Sequence, residues 1–260
     1  MAVPHLNPSE ENPLKADPAA QRKLLDVQEL DSRADQLRHQ RKSLPEIAEI
    51  ATLEGKRVDV ENLARDARIV VADLTEEQRK VDQDVEAVKT RRTRDRDRMD
   101  RGLITNPKDL ERMQHELESL ERRISSLEDD ELEVMEKLEE AQAELTKLET
   151  MVAESDQQLT TLAATRDEKV ASIDEQLADV LAQRGPAAEG LPDDLVTLYD
   201  RLREQKGGVG AAELRARQCT GCRLSIDASE LGRIRGLAED EVVRCEECQR
   251  ILVRTAESGL

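Results

Sequence analysis

The sequence feature that most constrains the fold is a heptad repeat of apolar residues between Leu110 and Val180. Steps of three and four residues alternate along most of it, and Glu131 and Ser155 stand where an apolar residue is missing. A repeat of about 3.5 residues held this long is typical of a helix that supercoils against another helix. The predicted seam is Leu110, Met113, Leu117, Leu120, Ile124, Leu127, Val134, Leu138, Ala141, Leu145, Leu148, Val152, Leu159, Leu162, Val170, Ile173, Leu177 and Val180.

A helix of this length has a direct consequence for function. At about 1.5 Å per residue it forms a rod of roughly 100 Å, which offers no pocket for chemistry. We therefore expect the protein to act by reaching and binding. Charged residues make up 38% of the chain, and there is no Trp, no Phe and a single Tyr, which favours exposed helices with a narrow buried seam over a large globular core. Disorder is the competing explanation of such a composition, and the sustained heptads argue against it.

The charge balance limits the classes of partner. The formal net charge is −18, the wrong sign for a protein that coats nucleic acid over its whole surface. With a single Tyr and no Trp or Phe, the chain lacks the usual base-stacking platforms. The net charge does not exclude a local basic patch, and the stretch from Arg91 to Arg101 contains six Arg and three Asp. This stretch is either a solvated helix end or a basic tip that meets an acidic partner or a phosphate backbone.

The helical part is predicted to be an antiparallel hairpin. A flexible tail over residues 1–18 precedes a first helix from about Ala19, which Pro45 is expected to kink. Gly102 to Asn106 forms the turn, and Pro107 fits the first position of the second helix. A continuous rod that dimerises in trans is the alternative. The first helix's predicted seam is Val27, Leu30, Ala34, Leu37, Leu44, Ile47, Ala51, Val60, Leu63, Ala67, Val70, Leu74, Val81, Val85 and Val88.

Beyond the hairpin we predict a connecting segment and a small terminal domain. Gly185-Pro186 should end the second helix near Arg184, so that the hairpin spans residues 19–184. A connecting helix follows within 185–206, and Tyr199 on it is expected to pack with its hydroxyl in water. Residues 207–260 form the terminal domain, which contains all four cysteines.

The cysteines indicate a metal site. Cys219 with Cys222 and Cys245 with Cys248 form two CxxC pairs separated by 22 residues. Two such turns can supply the four tetrahedral thiolates that one Zn²⁺ takes at about 2.3 Å, and four protein ligands leave no open position, so we predict a structural zinc. A two-disulfide module is the alternative, and a thioredoxin-like redox motif would need a βαβ context that is absent.

Short strands and a helix around the knuckles complete the predicted zinc ribbon. The strands are 212–217, 223–226, 242–244 and 251–254, and a helix from Asp227 to Leu237 explains the long spacing between the cysteine pairs. The fold class is therefore mainly α, a long antiparallel coiled-coil hairpin with a small C-terminal β domain. The ribbon arginines, which could bind phosphate if they shared one face, are Arg215, Arg217, Arg223, Arg233, Arg235, Arg244, Arg250 and Arg254.

The sequence contains no catalytic constellation that we can identify. His5, His39 and His115 lie in the tail or on helices with no partner in view, and the glycines after Gly207 lack the Lys of a phosphate-binding loop. We therefore predict no catalytic residue, no small-molecule substrate and no enzymatic activity. No apolar segment resembles a signal peptide or a membrane span, which predicts a cytoplasmic protein without membrane contact.

Three stretches carry a family resemblance: GLITNPKDLERMQHEL from Gly102, LYDRLREQKGGVGAAELRARQCTGC from Leu198, and VVRCEECQRILVR from Val242. Together with the hairpin they resemble the bacterial family of coiled-coil proteins that end in a four-cysteine zinc ribbon. The resemblance assigns the metal ligands to the same four cysteines, and Gln249 stands where a Gly is common in the family. Members in flagellated or secretion-competent bacteria resemble adaptors associated with motility, type III export, an alternative sigma factor and RNA.

Two functions follow as expectations. The first is a zinc-binding adaptor or scaffold that binds a protein partner through the ribbon and the connecting helix. The second is a nucleic-acid-binding regulator that contacts RNA or DNA through arginines of the ribbon or of the hairpin tip. We also expect that loss of zinc unfolds the ribbon and leaves the helical rod intact.

Overall fold

The computed structural model describes residues 14–260 and confirms the predicted fold class. The chain divides into two compact units. The described residues of the first are 14–44 and 166–260, and the second is Pro45–Thr165. The helices are α1 Pro18–Lys42, α2 Pro45–Asp100, α3 Pro107–Ala188, α4 Asp193–Gln205 and α5 Ala228–Gly236. The strands are β1 Ala211–Arg215, β2 Gln218–Cys219 and β3 Ile251–Arg254. Over residues 14–260, no helix is long and apolar enough to cross a membrane.

The second unit is an antiparallel helical hairpin. Ion pairs join α2 to α3 along its length, from Arg68–Glu149 at 2.9 Å to Lys89–Glu128 at 2.7 Å. In the turn, Gly102 adopts φ +68° and the Asn106 side chain accepts a hydrogen bond from the backbone amide of residue 108. The two helices therefore pair within one chain, as the stop and start signals of the sequence predict.

The predicted seam of α3 agrees with the structure at every position. Each heptad residue from Leu110 to Val180 is buried or half-buried, including the polar substitutes Glu131 and Ser155. The most buried side chains of the seam are Leu120, Ile124, Leu127, Val134, Leu138, Leu148 and Ile173. Large apolar residues at a strict spacing lie on a single face of α3, so the periodicity of the sequence alone identifies the buried face.

The predicted seam of α2 is partly wrong. Ile47, Ala51, Leu63 and Val70 are exposed. The partly or fully buried heptad positions are Ile50, Leu53, Arg57, Val60, Ala64, Ala67, Val71, Leu74, Gln78, Val81, Val85, Val88, Arg92, Asp95 and Met99. Polar and small residues occupy several of these positions, and apolar ones lie beside them, so the apolar pattern of this helix points to more than one face.

Polar residues are tolerated in the α2 seam because their charged ends reach acids on α3. The guanidinium of Arg57 pairs with Asp156 and that of Arg92 with Glu121 at 3.2 Å. The aliphatic stem of an arginine can cover apolar surface while its head stays solvated. The partner helix thus decides which face of α2 is buried.

The helix is interrupted where the sequence predicts a kink. α1 ends at Lys42, and α2 begins at Pro45. Between them the Ser43 hydroxyl donates a hydrogen bond to the carbonyl of residue 39, and Leu44 is buried. Proline has no amide hydrogen to donate, so the first turn of a new helix suits it.

Residues 14–17 differ from the predicted flexible tail, whose residues 1–13 lie outside the described part of the chain. The Ala16 amide donates to the Asp240 carbonyl at 2.7 Å, and the Leu14 carbonyl accepts from the Val242 amide at 2.9 Å. Ala16 is 4% exposed, and Asp17 caps α1. This segment is held because its apolar side chains join the core of the first unit.

α3 continues past the point where we expected it to end. Gly185 and Pro186 lie inside its last turn, and the helix ends at Ala188. A proline inside a helix cannot donate a hydrogen bond to the carbonyl four residues earlier, and its ring clashes with that carbonyl. Pro186 lies so close to the C-terminus of α3 that little of the helix depends on this hydrogen bond. Gly190, at φ +77°, then makes the reversal into α4.

The ribbon contains a three-stranded sheet in the order β2-β1-β3. β1 pairs antiparallel with β2 and parallel with β3, with Ala211 opposite Ile251. The strands expected at 223–226 and 242–244 are reduced to the isolated bridges Gln218–Ser225 and Arg244–Ile251, because the knuckle turns take up their residues. The predicted inserted helix is α5, capped by Asp227.

The sheet faces two separate cores. Ala211, Ile251 and Val253 pack with α1 and α4 side chains such as Leu24 and Leu195. The other face, with Leu214 and Leu252, packs with α5 and the loops around the cysteines. The ribbon therefore shares its hydrophobic core with the helices of the first unit. The linear division at residue 207 cuts through that core.

Candidate metal centre

The structure brings all four predicted ligands together. The sulfur atoms of Cys219, Cys222, Cys245 and Cys248 all lie within 4.8 Å of one another. The Cys219–Cys248 distance is 3.8 Å and the Cys222–Cys245 distance 3.9 Å. Zinc–sulfur bonds of about 2.3 Å in a tetrahedron place sulfur atoms roughly 3.8 Å apart, so the cluster has the size that zinc requires.

The two knuckles have the same backbone hydrogen bonds. The Arg223 amide donates to the Cys219 carbonyl at 2.7 Å, and the Gln249 amide to the Cys245 carbonyl at 2.8 Å. Arg223 and Gln249 both adopt a left-handed conformation, with φ +63° and +64°. Glycine adopts this conformation without a Cβ penalty, so both knuckles hold a non-glycine residue in a conformation that costs free energy.

Burial and hydrogen bonding act in opposite directions on the thiols. Burial raises the pKa values of Cys219 and Cys245, which favours the neutral thiols. Burial also opposes ionisation of Cys248, but hydrogen bonds from the amide and guanidinium of Arg250, and then from Cys245 and Cys222, outweigh it and lower that pKa to about 7. Metal binding requires thiolates, so the hydrogen bonds donated to Cys248 favour the form of this side chain that binds a cation.

Arg250 also ties the knuckles to the chain that follows α4. Its guanidinium donates to the Lys206 carbonyl at 2.8 Å and to the Val209 carbonyl at 2.9 Å. Beside it, a Cβ on Gly221 would lie 2.9 Å from both Ala212 Cβ and Arg250 Cδ. Glycine is therefore required in the first knuckle by packing.

Most ribbon arginines are used inside the domain. Arg254 donates to five backbone carbonyls around the end of α5, and Arg215 and Arg233 form ion pairs with nearby glutamates. Within residues 14–260, Arg223 and Arg235 are the ribbon arginines whose side chains form no intramolecular hydrogen bond or ion pair. The expectation of a phosphate-binding face built from all eight arginines therefore loses most of its members.

A buried polar cluster in the first unit was missed by the sequence analysis. The Tyr199 hydroxyl donates to the Asp31 carboxylate at 2.9 Å, and Arg184 donates to the same carboxylate at 2.7 and 3.2 Å. Tyr199 is fully buried, so the prediction of a solvated hydroxyl is wrong. Arg203 lies 3.5 Å from Asp31 and also pairs with Asp35. The available signal was Asp31 itself, an acid within the apolar spacing of α1.

Comparisons with known proteins agree with both halves of this architecture. The chain matches the model of the CT398-like coiled coil hairpin domain over residues 27–207 and that of the C4-type zinc ribbon domain over residues 218–252. It is 36% identical over 241 residues to the uncharacterized protein Rv2229c of Mycobacterium tuberculosis, covering 93% of this chain and 98% of that protein. The ribbon match and the close cysteines together support zinc binding.

Two solved structures share the fold. A protein from Mycobacterium smegmatis has a TM-score of 0.80 at 35% identity, covering 93% of this chain and 100% of that one. CT398 from Chlamydia trachomatis has a TM-score of 0.65 at 18% identity, covering 91% and 98%, which is a likeness of fold alone. The matched domains and the relatives' descriptions indicate no enzymatic family. With the predicted hairpin and ribbon both matched, the chain belongs to the CT398-like family of coiled-coil hairpin proteins, here with a C4-type zinc ribbon.

Proposed function

We propose that the protein is a non-enzymatic cytoplasmic adaptor that binds a protein partner through its zinc ribbon. The helical hairpin and the ribbon together suggest a scaffold-like protein. One zinc ion, held by four thiolates without an open position, has a structural role in this proposal. It fixes the knuckles as rigid turns on which exposed side chains can be presented.

The observation that carries the proposal is the first knuckle's surface. Arg223 is exposed and held at φ +63°, and Leu224, which follows it, is 49% exposed. A left-handed conformation costs a non-glycine residue about 1 kcal/mol or more. Strain of this kind is concentrated at functional positions. An exposed arginine beside an exposed leucine suits a partner that offers a carboxylate next to an apolar pocket.

The test uses the internal likeness of the two knuckles. Arg223→Gly should relieve strain and raise the free energy of unfolding by up to about 1 kcal/mol. It should also abolish partner binding, because the presented guanidinium is removed. Gln249→Gly is the matched control, since it relieves the same strain at the second knuckle. Crosslinking in cells followed by mass spectrometry should find the same partner with the wild type and Gln249→Gly, and lose it with Arg223→Gly.

The result that contradicts this proposal is equally specific. If Arg223→Gly and Gln249→Gly give the same crosslinked proteins as the wild type, the first knuckle is not the binding surface. Urea unfolding of each variant separates this outcome from a folding defect, because both substitutions are expected to stabilise the ribbon.

The second candidate function is binding of nucleic acid at the hairpin tip. A concavity of about 530 Å³ there is lined by four basic side chains, two acids, two threonines and Leu103. The basic side chains are Lys89, Arg94, Arg98 and Arg101, and the acids are Glu86 and Asp97. Among residues 14–260, Arg98 and Arg101 have no ion pair. Phosphate binding would weaken steeply with salt. Titration of labelled RNA and DNA at low and physiological salt tests this candidate, and the variants Arg98→Ala and Arg101→Ala should lower the slope of the salt dependence.

A further inference from the structure

One exposed flank of α2 carries a regular stripe of acidic and apolar side chains. Its residues are Asp59, Leu63, Asp66, Val70 and Asp73, spaced alternately by four and three. Leu63 is 55% and Val70 49% exposed. In the part of the chain that the structure describes, the three aspartates have no ion pair. This spacing is that of a second seam, parallel to the buried one and without a partner helix.

The other flank of α2 differs from this stripe. There, Arg68 pairs with Glu149 and Lys89 with Glu128, both across to α3. These pairs engage part of that flank within the hairpin. Asp59, Asp66 and Asp73 of the stripe form no ion pair within residues 14–260.

The same stripe becomes basic toward the end of α2. The stripe continues through Glu77, Lys80, Asp84 and Ala87 to Arg91, Arg94 and Arg98, and all these positions are exposed. Arg91 also pairs with Glu116 of α3 and with Asp95, and Arg94 pairs with Asp95 at 3.3 Å. Arg101 follows at the next position, in the turn. The charges are therefore distributed unevenly along one face, with most of its acids in the first half and its arginines in the second.

This separation makes the face complementary to itself. In two copies of α2 laid antiparallel, one register places Asp66 opposite Arg98, Asp73 opposite Arg91 and Lys80 opposite Asp84. A single register meets all three conditions because each pair lies seven residues from the next on both copies. A two-fold axis repeats every pair, which gives six ion pairs in all.

We propose that a second copy of this chain occupies the stripe, forming an antiparallel homodimer through the α2 flanks. In the same register Val70 faces Arg94 and Leu63 faces Arg101, and the aliphatic stems of these arginines cover the two apolar side chains. Charge complementarity identifies the partner, because the required arginines occur at matching positions on the same face. The pairs are solvent-exposed at their edges, so the dimer is sensitive to salt.

The first measurement is sedimentation velocity of the zinc-loaded full chain over a range of concentrations. We expect a monomer–dimer equilibrium at low salt that shifts to monomer at about 0.5 M salt, where the screening length falls to roughly 4 Å. Each of Asp66→Arg and Arg98→Asp should weaken dimerisation at least ~10-fold, since the two-fold axis creates two like-charge contacts.

The decisive variant combines both reversals. The double variant Asp66→Arg/Arg98→Asp restores opposite charges in the proposed register and should dimerise like the wild type. Asp82→Arg is the matched control, because it makes the same charge change at an exposed position on the other flank of α2. It should leave dimerisation unchanged.

Each alternative outcome overturns the proposal. If the wild type remains monomeric at low salt, a second copy does not occupy the stripe, and the stripe would bind a different protein. A double variant that stays monomeric, or single variants that still dimerise, disproves the register. All substituted positions are exposed, and circular dichroism of each variant checks that the helices are intact.

Discussion

At the scale of single residues, the Asp31 cluster shows how a buried charge is accommodated. Asp31 is 4% exposed, and its carboxylate accepts from the Tyr199 hydroxyl and from the Arg184 guanidinium. A buried carboxylate without such donors would be strongly destabilising. The cluster joins α1, α3 and α4, so it connects three helices of the first unit at one point.

Tyr199→Phe should lower the free energy of unfolding by about 1–3 kcal/mol, because it removes a donor from a buried carboxylate. Burial first, and then the Asp31 carboxylate, raise the pKa of Tyr199 above its ordinary value of about 10. A raised pKa means that the unfolded state loses its proton first. The contribution of protonated Tyr199 to the free energy of unfolding is therefore fully present below about pH 10 and is lost as the pH rises above it.

The measurement is urea unfolding of both proteins at neutral and alkaline pH. The free energy of unfolding of the wild type should fall between neutral and alkaline pH. That of Tyr199→Phe should fall less, because the variant has no phenol at this position to ionise. As a second readout, Tyr199 is the single tyrosine of a chain without Trp, so phenolate absorbance should appear only as alkali unfolds the protein. Phenolate formation in the folded protein near pH 10 would disprove the buried hydrogen bond.

At the scale of the element, α2 shows that periodicity without strong apolar contrast does not define a face. Val85 is 3% exposed in the seam, whereas Val70 is 49% exposed on the flank. Both are valines on one helix, and both belong to runs that the sequence alone allows as a seam. The contacts with α3 decide between them.

The matched substitutions Val85→Ala and Val70→Ala test this assignment. Val85→Ala should lower the free energy of unfolding by about 1–3 kcal/mol, because it removes buried methyl groups. Val70→Ala should change it by no more than about 0.5 kcal/mol, as is usual for a surface position. Urea unfolding at high salt, where self-association is screened, compares the two. Equal losses would mean that the buried seam is assigned wrongly.

At the scale of the whole molecule, the ribbon is continuous with the helices of the first unit. Ala211, Ile251 and Val253 share one core with Leu24 and Leu195. The expectation that loss of zinc unfolds the ribbon alone therefore needs revision. If the ribbon unfolds, α1 and α4 lose their apolar contacts with it at the same time.

Cys219→Ser should abolish zinc binding, measured by elemental analysis, because it removes one of four thiolate ligands. Hydrogen exchange with mass spectrometry should then show lost protection in the ribbon and in α1 and α4. Residues 45–165 should keep theirs, since they form the other unit with its own seam. Unchanged zinc content, or protection lost from the ribbon alone, would contradict this prediction.

Features that depend on local patterns could be predicted from the amino-acid sequence. The spacing of Cys219 to Cys248 predicted four ligands that the structure brings within tetrahedral reach, because a CxxC turn positions its own sulfurs. The α3 seam and the turn at Gly102 were likewise predictable. Large apolar residues at strict spacing, and glycine at a positive φ, are constraints that a short segment carries alone.

Features that depend on residues distant in the sequence became visible in the folded chain. Acids on α3 select the buried face of α2, and Asp31 holds the Tyr199 hydroxyl in the interior. Side chains of α1 and α4 complete the core on one face of the ribbon's sheet. Arg217, Arg250 and Arg254 donate to carbonyls at least 13 residues away in the sequence, which local patterns do not reveal. In each case the burial of a side chain is set by what packs across from it, and a single segment contains no information about that surface.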